Sequence, residues 1–171
     1  MKIKSKIPNL FTLLNLSLGI LSILYIFDND YYMSALLILL AALFDRFDGL
    51  LARKFNATSS IGKELDSLCD LISFGVAPSI LAWHIKLIDF GIIGIIIIIL
   101  YAVTGAYRLA RYNTTEFHGI YLGVPITLAG GIVAITSLYT IRYSINIYFL
   151  AVLMLLLSYS MISTKIRLKK R

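Results

Sequence analysis

Four aspartates stand in DRFDGLLARKFNATSSIGKELDSLCD, residues 45–70, between the apolar runs LLILLAAL and LISFGVAPSILAW. Asp45, Asp48, Gly49 and Ala52 lie at offsets of 3, 4 and 7 from the first, which stacks them on one face of a helix. Gly62, Asp66 and Asp70, at offsets of 4 and 8, share a face of the next helix. The connection, LysPheAsnAlaThrSerSer, is short, so the two helices run antiparallel and both carboxylate pairs meet at one end. A carboxylate at the centre of a membrane span costs roughly 2.5–3.5 kcal/mol on insertion scales, and less near the interface. Four of them also repel one another. Arg46, Arg53 and Lys63 offset part of this, but so little cationic charge points instead to bound divalent metal. An all-oxygen donor set selects Mg²⁺, Mn²⁺ or Ca²⁺ over zinc. Two such ions sharing four carboxylates suit a displacement at phosphorus, where attacking and leaving oxygens both need stabilising. Gly49, Ala52 and Gly62 lack bulk and permit close approach of a helix or a ligand. Arg53 can offer a planar fork to a phosphate oxygen.

The elements that position these residues are read from composition and hydropathy. Hydrophobic residues make up 59% of the 171 and charged ones 15%, against roughly 45–50% and 25% in a soluble domain. A soluble fold could not cover that much apolar surface, so the chain reads as all-α, one polytopic membrane domain over residues 1–171. About 20 apolar residues cross a bilayer core, and six such segments are expected, at 9–27, 31–53, 64–85, 88–112, 122–141 and 145–164. The apolar stretch after MKIKSKIPNL has full bilayer length and no A-x-A cleavage site, so it is expected to stay as the first helix. All Lys and Arg except Lys86 and Arg142 fall at the ends or at the even-numbered connections. Both termini and the aspartates are therefore expected on the cytoplasmic side. The charge of +7 is a basic membrane rim, and no nucleic-acid partner is expected. The single cysteine, Cys69, excludes an internal disulfide and reads as packing.

Taken together, Asp45-x2-Asp48-Gly49-x2-Ala52-Arg53-x8-Gly62-x3-Asp66-x3-Asp70 resembles, without a gap, the signature of the CDP-alcohol phosphotransferases. That resemblance implies an integral membrane enzyme that moves a phosphoalcohol from a cytidine-diphosphate donor to a hydroxyl. It implies that Asp45, Asp48, Asp66 and Asp70 bind two divalent ions that hold the donor's diphosphate. Gly49, Ala52 and Gly62 would make room for the cytidine, Arg53 would contact a phosphate, and Asp70 would take the proton of the attacking hydroxyl. It further implies a homodimer. The run SFGVAP (73–78), PNLFTLLNL (8–16), RLARYN (108–113) and YLGVP (121–125) are similar to segments of the serine-using branch, the phosphatidylserine synthases. The implied substrates are a CDP-activated lipid, either CDP-diacylglycerol or an ether analogue, and L-serine.

Serine brings a carboxylate that needs neutralising. Arg108 and Arg111, one turn apart at the cytoplasmic end of the fourth span, are candidates for it; topology or headgroup contact is the alternative. Ser73 lies on the Asp66/Asp70 side and is a candidate lining of the acceptor pocket, with ordinary backbone bonding as the alternative. Asn9, Thr12 and Asn15 share one side of the first helix. The resemblance implies nucleotide contact there, against helix capping by Asn9. His84 reads as interfacial and too distant for chemistry, His118 and Glu116 as solvated, and Pro125 as the start of the fifth helix. Tyr31, Tyr32, Trp83, Tyr139, Tyr143 and Tyr148 read as aromatic anchors at the outer interface. Competing functions are a sibling enzyme taking glycerol phosphate or inositol, a divalent-cation channel, and a scaffold. A channel would spread its acids through the membrane depth, whereas these gather at one end.

Overall fold

A computed structural model describes residues 7–54, 59–114, 120–143 and 145–169. Within these ranges the side chains of Asp48, Ala52 and Arg53 lie outside the description; Glu116 and His118 lie outside the described residues altogether. Apart from two three-residue strands the described chain is dominated by helix: α1 Ile7–Phe27, α2 Tyr31–Lys54, α3 Ser60–Asp70, α4 Ala77–Ile85, α5 Ile92–Thr114, α6 Ile126–Tyr143 and α7 Ile147–Ile162. A π-helical turn, Leu71–Val76, joins α3 to α4, so that Ser60–Ile85 is one continuous helical span. Strands β1 Ile120–Leu122 and β2 Arg167–Lys169 pair antiparallel. This is a multi-pass membrane protein: Asn9–Phe27, Ser60–Ile85, Ile92–Thr114 and Ile126–Tyr143 are each long and apolar enough to cross a bilayer. Helix α7 is apolar but shorter, at 16 residues.

Local sequence explains the breaks. Asp28-Asn29-Asp30 ends one helix and starts the next. Asn29 takes the left-handed conformation at φ 61°, which asparagine tolerates better than most residues. Asp30 then accepts the Met33 N–H at 2.9 Å and caps α2. Ser59 caps α3 by accepting the Gly62 N–H at 3.0 Å. Asn146 does the same for α7, accepting from Tyr148 N–H at 2.9 Å.

Three expected boundaries are corrected. The third span starts at Ser60, not 64, because the Ser59 cap lets the helix begin in a polar stretch. The fourth starts at Ile92, not 88: Leu87–Phe90 forms a 3₁₀ turn and Gly91, at φ 56°, breaks it. The fifth starts at Ile126, not 122, because residues 120–122 are paired with β2. There Pro125 accepts the Ala129 N–H at 3.0 Å, so the proline does mark the helix start.

The core lies where the helices cross, around Phe74, Tyr101, Ile126, Val133, Met154 and Met161, all essentially buried. Outward residues such as Ile92, Ile96, Ile99, Leu128 and Leu156 are exposed, as a lipid-facing surface requires. In the isoleucine run only Ile97 turns fully inward. Trp83 and His84 stack edge-on with ring centroids 4.8 Å apart, with Phe27 and Tyr31 beside His84. Tyr139 and Tyr143 pair at 4.7 Å.

Candidate active site

Asp45 near the C-terminal end of α2 faces Asp66 and Asp70 of α3. One carboxylate oxygen from each of the three lies within 4.8 Å of the others. The expected convergence of the two helices is therefore present for three of the four acids. Asp48, one turn further along α2, has a side chain outside the described part.

Two side chains from other helices hold this cluster. Asn15 of α1 donates from Nδ2 to Asp70 Oδ1 at 3.1 Å, and both are buried, at 0% and 6% exposed. A carboxylate only accepts hydrogen bonds, so the amide nitrogen must face it and the amide oxygen must face away. That oxygen, Asn15 Oδ1, is buried and has no hydrogen-bond partner among the described residues. Thr127, in the first turn of α6, donates to Asp45 Oδ2 at 3.1 Å. It brings the amino end of α6, the positive end of its dipole, beside the cluster. Sequence reasoning missed Thr127. The only available signal was a hydroxyl two residues after Pro125, at the end of the span that faces the aspartates.

The remaining candidates surround these. Gly62 lies against Asn9: a Cβ at Gly62 would sit 3.3 Å from Asn9 Oδ1 and 3.0 Å from Ser59 Oγ, so the glycine lets α1 and α3 approach. Thr12 is buried on the same side of α1, and Gly49 is half-buried on α2. Ser73 donates to the Asn15 carbonyl at 3.0 Å, which ties α1 to the π turn just beyond Asp70. Cys69 is fully buried, as a packing residue should be.

The two arginines of α5 differ. Arg108 is 8% exposed, inside the helix bundle. Arg111 donates to the Ile162, Leu122 and Met161 carbonyls at 2.8, 3.2 and 3.3 Å. It binds the end of α5 to the end of α7 and to β1, satisfying carbonyls that a helix terminus leaves open. A second tie, also unforeseen, joins α5 to α3. Lys63 Nζ donates to the Asn113 carbonyl at 3.2 Å, and Asn113 Nδ2 donates to Ser67 Oγ at 2.9 Å and Glu64 Oε2 at 3.2 Å. The helix bearing two of the acids is thus fixed by α1 and by α5.

The cluster fits a divalent cation. Two oxygens on one ion are separated by at most twice the metal–oxygen distance, about 4.2 Å for Mg²⁺ and about 5.2 Å for Ca²⁺. Three oxygens within 4.8 Å reach that range with small side-chain rotations. Their hardness suits Mg²⁺, Mn²⁺ or Ca²⁺, and the donors from Asn15 and Thr127 are the outer contacts that orient ligating carboxylates.

A family model described as CDP-alcohol phosphatidyltransferase matches residues 5–164. The chain belongs to that family. Curated CDP-alcohol relatives include the CDP-diacylglycerol–serine O-phosphatidyltransferase of Bacillus subtilis (strain 168), 37% identical over 92% of this chain and 86% of that protein. The protein of the same name in Helicobacter pylori (strain ATCC 700392 / 26695) is 39% identical over 80% of this chain and 59% of its own length. The archaetidylserine synthase of Methanothermobacter thermautotrophicus is 42% identical over 78% of this chain. The chain thus spans 59% and 57% of the lengths of the last two relatives.

Proposed function

We propose that the chain transfers the phosphatidyl group of a CDP-activated lipid, CDP-diacylglycerol or its ether analogue, to the hydroxyl of L-serine, releasing CMP. The observation that carries the reading is the Asp45–Asp66–Asp70 cluster, held by Asn15 and Thr127 in a chain of this family. Serine is favoured over glycerol phosphate or inositol by the names of the relatives above.

Asp45, Asp48, Asp66 and Asp70 hold two divalent cations, Mg²⁺ or Mn²⁺, with Ca²⁺ as the alternative. When bound, these ions neutralise the donor's diphosphate and the charge that develops on the leaving CMP. Asn9, Thr12, Gly49, Ala52, Arg53 and Gly62 accommodate the nucleotide and its phosphates. The buried Asn15 Oδ1 takes a hydrogen bond from the substrate, which supplies the donor that the oxygen lacks. Asp70 accepts the proton of the serine hydroxyl as that oxygen forms its bond to the lipid-side phosphorus. The bond from that phosphorus to the bridging oxygen breaks, and the oxygen leaves on CMP. Alignment of the reactants and fixed charge supply most of the rate.

Ser73 and Arg108 lie on the acceptor side, with Arg108 neutralising the serine carboxylate. Arg111 supports that pocket by fixing the ends of α5 and α7. Six helices cross the cytoplasmic membrane with both termini and the site on the cytoplasmic side, in keeping with the distribution of Lys and Arg. The protein works as a homodimer among membrane lipids. Purified protein with CDP-lipid, Mg²⁺ or Mn²⁺ and a panel of hydroxyl acceptors tests the reading by CMP release. Release with serine alone is expected. Release with another acceptor alone refutes serine, and none with any acceptor refutes the enzyme.

A further inference from the structure

Helix α3 carries Asp66 and Asp70, yet it is packed into the bundle at one end only. Its buried residues are Cys69 and Asp70, while Ile61 and Leu68 are 76% and 63% exposed. A helix is ordinarily held by its buried apolar face, and α3 has no buried residue before Cys69. The buried end is also the end that Asn15 grips through Asp70. Asp66 lies four residues toward the other end, about 6 Å along the axis at about 1.5 Å per residue. A swing of about 15° around the buried end would shift it by about 1.5 Å. Metal–oxygen distances are held to about 0.2 Å, so such a swing removes a ligand.

What opposes the swing comes from α5. The Asn113 amide donates both of its hydrogens to α3, to Ser67 Oγ at 2.9 Å and to Glu64 Oε2 at 3.2 Å. A carboxylate only accepts, so the amide nitrogen must face Glu64. Ser67 follows Asp66 directly in the chain, and the tie is therefore made at the level of the carboxylate it steadies. Glu64 is exposed and Ser67 half-buried, so water replaces the Ser67 bond less readily. Lys63, on the same side of α3, donates to the Tyr112 and Asn113 carbonyls at 3.5 and 3.2 Å. Lys63 thereby closes the end of α5. The Asn113 amide has no part in that closure; its two N–H groups are turned to another helix.

We propose that Asn113 is a positioning residue: its amide ties α3 to α5 at Ser67 and so aims Asp66 at Asp45 and Asp70. This rests on the reading of those carboxylates as a cation site. An asparagine that only finished its own helix would leave Asp66 unaffected. This one touches neither cation nor substrate and acts through the helix it holds.

The test uses the full chain in lipid nanodiscs, with Mn²⁺ binding followed by electron paramagnetic resonance in the absence of substrate. Asn113→Ala and Ser67→Ala are each expected to weaken Mn²⁺ binding at least threefold. Because both remove the same bond, the double variant stays within twofold of Asn113→Ala alone. Ser22→Ala, which removes the buried Ser22–Ser34 hydrogen bond between α1 and α2, lowers the melting temperature and leaves Mn²⁺ affinity within twofold of wild type. A smaller effect of Asn113→Ala overturns the proposal, as does a further fall in the double variant or an equal fall in Ser22→Ala. Should Asn113→Ala fail to fold, Ser67→Ala decides alone by the same threefold limit. If the wild type binds no Mn²⁺, the cation reading has failed, and the positioning is read from crystal structures of wild type and Asn113→Ala. Asp66 displaced from Asp45 and Asp70 by about 1 Å or more supports the proposal; a smaller displacement overturns it.

Discussion

Thr127→Val isolates the contribution of a residue that touches no substrate in this account. The substitution keeps the branched shape and removes one donor, the hydroxyl 3.1 Å from Asp45 Oδ2. A hydrogen bond to a charged group contributes about 1.5–3 kcal/mol. Asp45 is half-buried, so water replaces part of the loss, and about 1–2 kcal/mol is the expected cost. Each 1.4 kcal/mol is a factor of about ten, so the effect is about 5- to 30-fold. It should appear in metal affinity, because an outer donor acts by orienting a ligating carboxylate. Activity is measured as CMP release against Mn²⁺ concentration at saturating CDP-lipid and serine. The half-saturating Mn²⁺ concentration should rise 5- to 30-fold, with the maximal rate within about threefold of wild type and the serine KM unchanged. An unchanged Mn²⁺ dependence would refute the reasoning, whatever happened to the rate.

Further outcomes follow from the same geometry. Asp70→Asn keeps the shape but cannot take a proton, and CMP release should fall by about 10²–10⁴; a variant retaining a tenth of wild-type turnover excludes Asp70 as the base. Asn15→Leu removes the donor to a carboxylate only 6% exposed, where water cannot substitute. The loss of about 1.5–3 kcal/mol should lower kcat about 10- to 150-fold, and a kcat within twofold of wild type would show that this hydrogen bond does not position Asp70. The two arginines should separate: Arg108→Ala raises the serine KM at least tenfold with the melting temperature little changed, whereas Arg111→Ala, which frees three carbonyls, lowers the melting temperature. The reverse pattern would exchange their roles.

Much of the site was legible because its signals are local. Aspartates at spacings of 3 and 4 fix a helix face whatever the rest of the fold does, and Asp45, Asp66 and Asp70 do converge. The Asp28-Asn29-Asp30 break and Pro125 were equally plain, since a left-handed asparagine, a capping carboxylate and a missing N–H act within a few residues. Contacts across long stretches of chain were not legible. Thr127 reaches Asp45 over 82 residues, and nothing in the pattern around Thr127 singles it out. Arg111 looked like topology or a carboxylate ligand, whereas its guanidinium lies on carbonyls of α7 and β1, about 50 residues away for the α7 pair. The π turn was hidden for a different reason. Leu71–Val76 is compatible with a plain helix, and the residues that pack on it, Tyr101, Gly130 and Gly19, come from three other helices.

The central claim is that carboxylates from α2 and α3 hold divalent cations together with the donor's diphosphate. Lipidic-phase crystals grown with millimolar Mn²⁺ and CDP-lipid, with data collected at the manganese edge, test it most directly. The account predicts anomalous peaks bound by oxygens of Asp45, Asp66 and Asp70, with the diphosphate on the opposite side of the ions. Nucleotide density without any manganese peak at these three aspartates would contradict it.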